Sequence, residues 1–177
     1  MGGTATDAYI VIWLGVALLL GALGWWKYPG LSPALRWLLF VAAGLRVVDI
    51  TQVVVNVGIF DQLGFAGRGG RQQAVEDVTR SLVLLVWNYC ELMVWFGLAY
   101  IPLDILRQST FQQSTLWSRF YFSAVTQLTI GYGDLAPVGW AKAIAAAQGT
   151  LGWMLTVIIV ARFVASLPPI RGLERRS

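Results

Sequence analysis

The chain contains no histidine and a single cysteine, Cys90. Those absences exclude an intrachain disulfide and a His/Cys metal site. They also leave little from which a hydrolytic or redox centre could be built, so no enzyme is expected. Charge is scarce as well. Asp, Glu, Lys and Arg together make 12% of the 177 residues, about half the share usual in a soluble domain. The net charge of +4 does not mark a nucleic-acid binder, because the basic residues are scattered or flank apolar runs. What is abundant is hydrophobic side chain, 57% of the sequence. This composition is that of a membrane protein.

Residues 1–7 are small and polar. Tyr9 to Trp26 is the first apolar run, and spanning a bilayer takes about 18 residues or more. No Lys or Arg precedes it and no small-x-small cleavage pattern follows, so a retained helix is expected rather than a signal peptide. Gly15, Gly21 and Gly24 suit close helix packing. After the turn at Lys27-Tyr28-Pro29-Gly30, the second run extends from Pro33 to Phe60. It carries Arg36, Arg46, Asp49, Gln52 and Asn56, and the last four recur every three or four residues as one polar stripe. Inside a membrane such a stripe faces protein or water. Arg36 and Arg46 stand ten residues apart, too far for a voltage sensor. A Gly-rich linker, 61–73, leads to a third helix expected from Ala74 to Tyr100 or Pro102, with Asn88 and Glu91 at membrane depth. Residues 104–113 read as a short polar connection.

Ser114 is expected to cap a helix over Thr115 to Leu128, too short to cross a membrane. It runs into Thr129-Ile130-Gly131-Tyr132-Gly133-Asp134. That stretch resembles the selectivity filter of potassium channels, Thr-Val/Ile-Gly-Tyr-Gly-Asp, at every position. An ion entering a narrow pore must exchange its water shell for oxygens, and backbone carbonyls can line a strand closely enough to supply them. Carbonyls that all point one way require backbone angles costly to residues with a side chain, and Gly131 and Gly133 suit those positions. The resemblance extends upstream to Ser123, Val125 and Thr126, and downstream to Leu135-Ala136-Pro137-Val138. It departs at Gln127, where an apolar residue is usual, and at Leu128, which replaces a second Thr.

The resemblance covers about residues 80–170 and implies a two-helix pore module with a re-entrant pore helix and a filter loop, assembled as a cyclic tetramer around one pore. With the two apolar runs before it, an all-α membrane protein of four transmembrane helices is expected. Residues 1–79 form an N-terminal two-helix region with a cytoplasmic linker, 80–170 the pore module and 171–177 a short basic tail. Permeant K+ is expected at Thr129, Ile130, Gly131 and Tyr132, with Gly133 completing the filter. Asp134, Tyr121 and Val125 are its expected supports. Tyr121 donates to Asp134 in this reading, and Val125 stands where the family often has a Glu. The inner helix, from Trp140 to Leu167, is expected to line a cavity with Thr156, Val160 and Val164. Gly152 is the expected hinge, Gly149 its rival, with tight packing the alternative for both. Arg46 and Glu91 are expected to pair within the membrane, because facing residues of the two stripes (46 with 91, 49 with 88, 56 with 81) share one numerical sum, as antiparallel helices require.

A pore loop enters from outside, so counting spans places both termini and the linker in the cytoplasm of a cell-membrane protein. The Lys/Arg bias agrees modestly, counting Lys27, Arg36, Arg107, Arg119 and Lys142 as outer. Trp25, Trp26, Trp37, Trp117 and Trp140 fall at the outer interface. One filter strand cannot surround an ion, so the expected partner is three more copies of the chain, together with membrane lipid. No nucleic acid, small-molecule substrate or organic cofactor is implied. Two alternatives stay open: a non-selective cation channel of the same fold, and a non-conducting membrane scaffold or accessory subunit.

Overall fold

The computed structural model describes residues 12–13, 15–16, 18–19, 22, 32–55, 71–103, 106–108 and 115–167. Along these the order is α1 (Pro33–Val55), α2 (Arg71–Ala99), β1 (Leu106–Gln108), α3 (Leu116–Gln127), β2 (Leu135–Pro137) and α4 (Ala141–Ser166). Ile12, Trp13, Gly15, Val16, Leu18, Leu19 and Ala22, within the first apolar run, are also helical. Among the described residues three helical stretches are long and apolar enough to cross a membrane: Pro33–Val55, Arg80–Ala99 and Ala141–Val164. At 12 residues α3 is not, since a crossing needs about 20.

Several boundaries differ from expectation, each for a local reason. Helix α2 begins at Arg71 rather than Ala74, because Arg71, Gln72 and Gln73 are good helix formers. It ends at Ala99, ahead of Pro102, which cannot continue a helix. Ser114 lies outside the described residues. The cap of α3 is Thr115, whose hydroxyl accepts from the Ser118 backbone N–H at 3.3 Å. Asn56 and the end of the second run also fall outside the described residues.

Helix α2 is the centre of the chain. Half of its apolar span (50%) is buried, against 28% for α1 and 17% for α4. Trp95, Leu98, Tyr100 and Ile101 are wholly enclosed. Where α3 crosses α2, the Phe120 ring lies directly on Gly97, and a β-carbon there would come within 2.3 Å of Phe120 Cδ1. One turn away Tyr100 and Phe122 meet edge to face at 5.1 Å.

Arg119 corrects the sequence reading. It is not an outer-flank charge but wholly buried. Its guanidinium donates to the carbonyl of Tyr100, and to those of Ile101 at 2.8 Å and Leu103 at 3.0 Å. Carbonyls at a helix end have no helical partner, and a cation there also suits the helix dipole. Arg119 thereby fastens the first half of α3 to the end of α2.

The connection after α2 is not plain loop. β1 pairs antiparallel with β2, Leu106 opposite Pro137 and Gln108 opposite Leu135. This ribbon ties the approach to α3 to the chain just beyond Asp134. Three-residue strands are too short to show an alternating pattern.

Candidate functional site

The segment after α3 has a distinctive backbone. Thr129 has φ 57°, Gly131 56° and Gly133 75°, while Ile130 and Tyr132 are not in the positive region. Residues of opposite hand alternate, and such alternation turns successive N–H groups to one side of a strand and carbonyls to the other. Gly131 and Gly133 adopt these angles without a β-carbon penalty. Thr129 does not; a β-branched residue there stores strain of about 1–2 kcal/mol. Sequence reasoning passed over this point, because threonine gives no sign of a left-handed backbone. Residues 129–134 are all exposed within the chain.

The strand hangs from the last turn of α3. Ile130 N–H donates to the Val125 carbonyl at 2.9 Å and Gly131 N–H to the same oxygen at 3.3 Å. Thr129 N–H donates to Thr126 at 3.2 Å, and Leu128 N–H to Ala124 at 2.9 Å. The Gln127 carbonyl accepts the Tyr89 hydroxyl at 3.0 Å. The four carbonyls that a helix end leaves open are therefore all used, two of them by the strand itself. Val125 acts here through its backbone, with its side chain buried.

Behind that turn lies a neutral polar cluster joining three helices. Tyr89 and Gln127 clasp reciprocally, since Gln127 Nε2 also donates to the Tyr89 carbonyl at 2.6 Å. Ser123 Oγ donates to the Met93 carbonyl at 2.6 Å. Gln148 of α4 donates through Nε2 to Ser123 O at 2.9 Å, Ser123 Oγ at 2.7 Å and Gln127 Oε1 at 3.2 Å. Its Oε1 accepts the Tyr100 hydroxyl at 2.9 Å. Ser123, Gln127 and Gln148 are all buried. Gln127, noted in the sequence as a departure in packing, is a hydrogen-bonding centre. Gln148 was missed; its signal was a lone amide directly after the Ala-rich run 143–147.

At the other end, Tyr121 hydrogen-bonds Asp134 and stacks on Tyr132, with ring centroids 6.5 Å apart and planes 4° from parallel. Desolvation, then the hydrogen bond to Asp134 and the charges of Asp134 and Tyr132, push the Tyr121 phenol above its ordinary value. The donor keeps its proton.

On α4 the expected hinge and cavity residues separate onto different faces. Gly152 is buried against α3; a β-carbon there would lie 2.8 Å from Gln127 Cγ and 2.9 Å from Gln127 O. Close approach explains this glycine, whereas a β-carbon at Gly149 would meet nothing within 4 Å. Gln148, Gly152 and Leu155 form the inward face. Thr156, Val160 and Val164 are exposed, and the Thr156 hydroxyl donates to its own helix at the Gly152 carbonyl, 2.9 Å away. The same stripe extended upward reaches exposed Trp153, which the sequence reading left out although it lies one turn before Thr156.

A second polar cluster lies on the other side of α2. Arg46 Nε donates to Glu91 Oε1 at 2.7 Å and Nη2 to Oε2 at 3.1 Å, both side chains buried. Arg46 also donates to Asp49. Trp95 Nε1 donates to Glu91 Oε1 at 3.1 Å, and the Trp13 ring lies 5.4 Å from the guanidinium carbon.

Among the described residues no group of three or more His, Cys, Asp or Glu side chains could hold a metal. The oxygens at 129–133 are the backbone carbonyls and the hydroxyls of Thr129 and Tyr132.

Comparison with known proteins agrees with this geometry. The sequence pattern of a family described as Ion channel matches residues 83–167, from within α2 to the end of α4. Protein LctB of Bacillus caldotenax is 31% identical over 94 residues, covering 48% of this chain and 70% of the relative. Protein LctB of Geobacillus stearothermophilus is 33% identical over 94 residues, with the same coverage. No solved structure matches. The matched region holds both pore-side membrane helices, the short helix between them and the alternating strand, and the chain belongs to the ion-channel family of the two-helix, potassium-channel type.

Proposed function

We propose that this chain is one subunit of a cyclic homotetramer that conducts K+ selectively and passively across the cell membrane. The observation that carries the reading is the alternation of positive φ at Thr129, Gly131 and Gly133. With the strand in that form, the carbonyls of Thr129, Ile130, Gly131 and Tyr132 point one way, and four copies around an axis stack them into rings. A K+ ion exchanges its water for those oxygens, and neighbouring ions displace one another along the row. The hydroxyl of Thr129 adds an inner ring.

Exposure supports the assembly. Ile130 and Tyr132 are 47% and 69% exposed, and α4 is the least covered span. Apolar groups so placed are covered by neighbouring copies or by lipid. Trp153, Thr156, Val160 and Val164 line the cavity below the filter, and Val160 and Val164 form an apolar constriction that gates by dewetting. Both termini lie in the cytoplasm. Burial of Arg119 removes one charge from the outer count, which strengthens the positive-inside bias. Trp37, Trp117 and Trp140 are all exposed, as outer-interface residues require. Arg46 and Glu91 join the N-terminal helices to the pore module.

The test is potassium efflux from vesicles containing the purified protein, with charge compensated by a protonophore. The parent releases K+ from K+-loaded vesicles and little Na+ from Na+-loaded ones. Gly131→Ala abolishes the K+ release while the tetramer persists. A β-carbon at Gly131 meets no atom of its own chain within 4 Å, so the loss comes from the backbone angle rather than from a clash. Undiminished K+ release from that variant contradicts the filter assignment.

A further inference from the structure

The neutral cluster behind the strand has a direction. Tyr100 donates to Gln148, Gln148 donates to Ser123 and Gln127, and Gln127 donates to Tyr89. The Gln148 amide has one carbonyl and two N–H hydrogens, so one of the two hydrogens is shared between two of its three acceptors. Turning the amide over would set its oxygen against the Ser123 carbonyl, and only one orientation satisfies every partner. A buried network satisfied throughout is stiff, and one missing member leaves several groups unpaired.

Position gives the network its consequence. Gln148 is the one α4 side chain in it, and one turn further along Gly152 touches Gln127 directly. Helix α4 therefore grips the last turn of α3 at two points. That same turn offers the Val125 and Thr126 carbonyls from which Thr129, Ile130 and Gly131 hang. Thr129 holds a strained backbone angle, and strain persists only where the surroundings fix it.

We infer that Gln148 is a positioning residue for the ion pathway, through which the inner helix holds the filter strand in its alternating form. This rests on the functional reading above. When α4 bends or turns, the Gln148 amide either carries the end of α3 with it or lets go. In both cases the support of Thr129 changes, so the state of the inner helix is felt at the filter without any group touching the ion.

The experiment measures amide hydrogen exchange and reversal potential on the full-length assembled protein, comparing the parent with Gln148→Leu and Tyr100→Phe. Leucine removes the amide at similar size; phenylalanine removes only the hydroxyl that orients it. Exchange at Ile130 and Gly131 rises roughly ten-fold in Gln148→Leu, the effect of a lost hydrogen bond, and less in Tyr100→Phe. Amides of α1 around Arg46 stay at the parental rate. With K+ and Na+ gradients opposed, the reversal potential of Gln148→Leu moves toward zero. Unchanged exchange at 130–131, or an equal rise in α1, overturns the inference. So does faster exchange with an unmoved reversal potential, which would make the role structural only. If Gln148→Leu does not assemble, Tyr100→Phe decides by the same criteria. If the parent carries no K+-selective current, the functional reading falls, and the exchange comparison still decides whether α4 holds the strand.

Discussion

Helix α2 carries polar groups on two roughly opposite sides, and they differ in kind. Toward α1 it presents Glu91, which also accepts from Trp95 Nε1, to an arginine, with Asp49 as the third charge. Toward α3 and α4, it and Tyr100 just beyond its end present the Tyr89 and Met93 carbonyls and the Tyr100 hydroxyl to neutral side chains, and the Tyr89 hydroxyl to the Gln127 backbone carbonyl. The difference has a physical sense. Coulomb energies are large where the dielectric is low, so a formal charge directly behind Thr129 would bias every ion in the proposed row. Dipoles can fix the strand without that field. The charged pair sits on the far side, where it can fasten the N-terminal helices without acting on the ion path.

The two sides should also break differently. The largest effect is expected on the charged side. Arg46→Ala strands Glu91 inside the protein, and losing one partner of a buried pair costs about 3–5 kcal/mol. Thermal dissociation of the assembly in detergent reads this as a large drop in midpoint. Replacing both, as Arg46→Met with Glu91→Met, removes the stranded charge and brings the midpoint back toward the parent. Exchanging the two charges restores part of it. A double variant worse than the single changes combined would sink the pairing.

Arg119 is the bridge between these cases, a buried charge whose guanidinium donates to three backbone carbonyls. Arg119→Met leaves those oxygens unpaired at the end of α2, costing about 2–3 kcal/mol. Lysine offers donors but not the planar fork, so Arg119→Lys recovers only part, measured in the same dissociation assay. An Arg119→Met assembly as stable as the parent would return this residue to the outer surface. The smallest effect belongs to the neutral contact at the outer mouth. Tyr121→Phe removes one hydrogen bond to Asp134 and keeps the stack on Tyr132, a loss of about 1 kcal/mol. It should appear as faster decay of current under steady voltage, with assembly unaltered. Unchanged decay would make that contact dispensable.

These residues also mark how far the sequence could be read. The three described membrane helices, the short α3 and the glycines at 131 and 133 were legible. Each rests on a local signal: an apolar run, a length, or a residue type suited to φ above zero. The facing of Arg46 and Glu91 was legible because two stripes with the same spacing can be laid side by side. Arg119 was not. An arginine near an interface looks the same whether it meets headgroups or the end of a neighbouring helix, and only the crossing of α3 over α2 decides. Gln148 and Thr129 were hidden for a related reason, since their roles depend on groups far along the chain or on a backbone angle foreign to their residue type. The β1–β2 ribbon was too short to leave a pattern.

The central claim is selectivity, and one measurement addresses it most directly. Purified protein is placed in a planar bilayer with K+ on one side, Na+ on the other and a common anion, and the voltage of zero current is read. The account predicts a strongly displaced reversal potential, of the sign set by K+ leaving its own side. A reversal potential near zero, with current flowing, would contradict it.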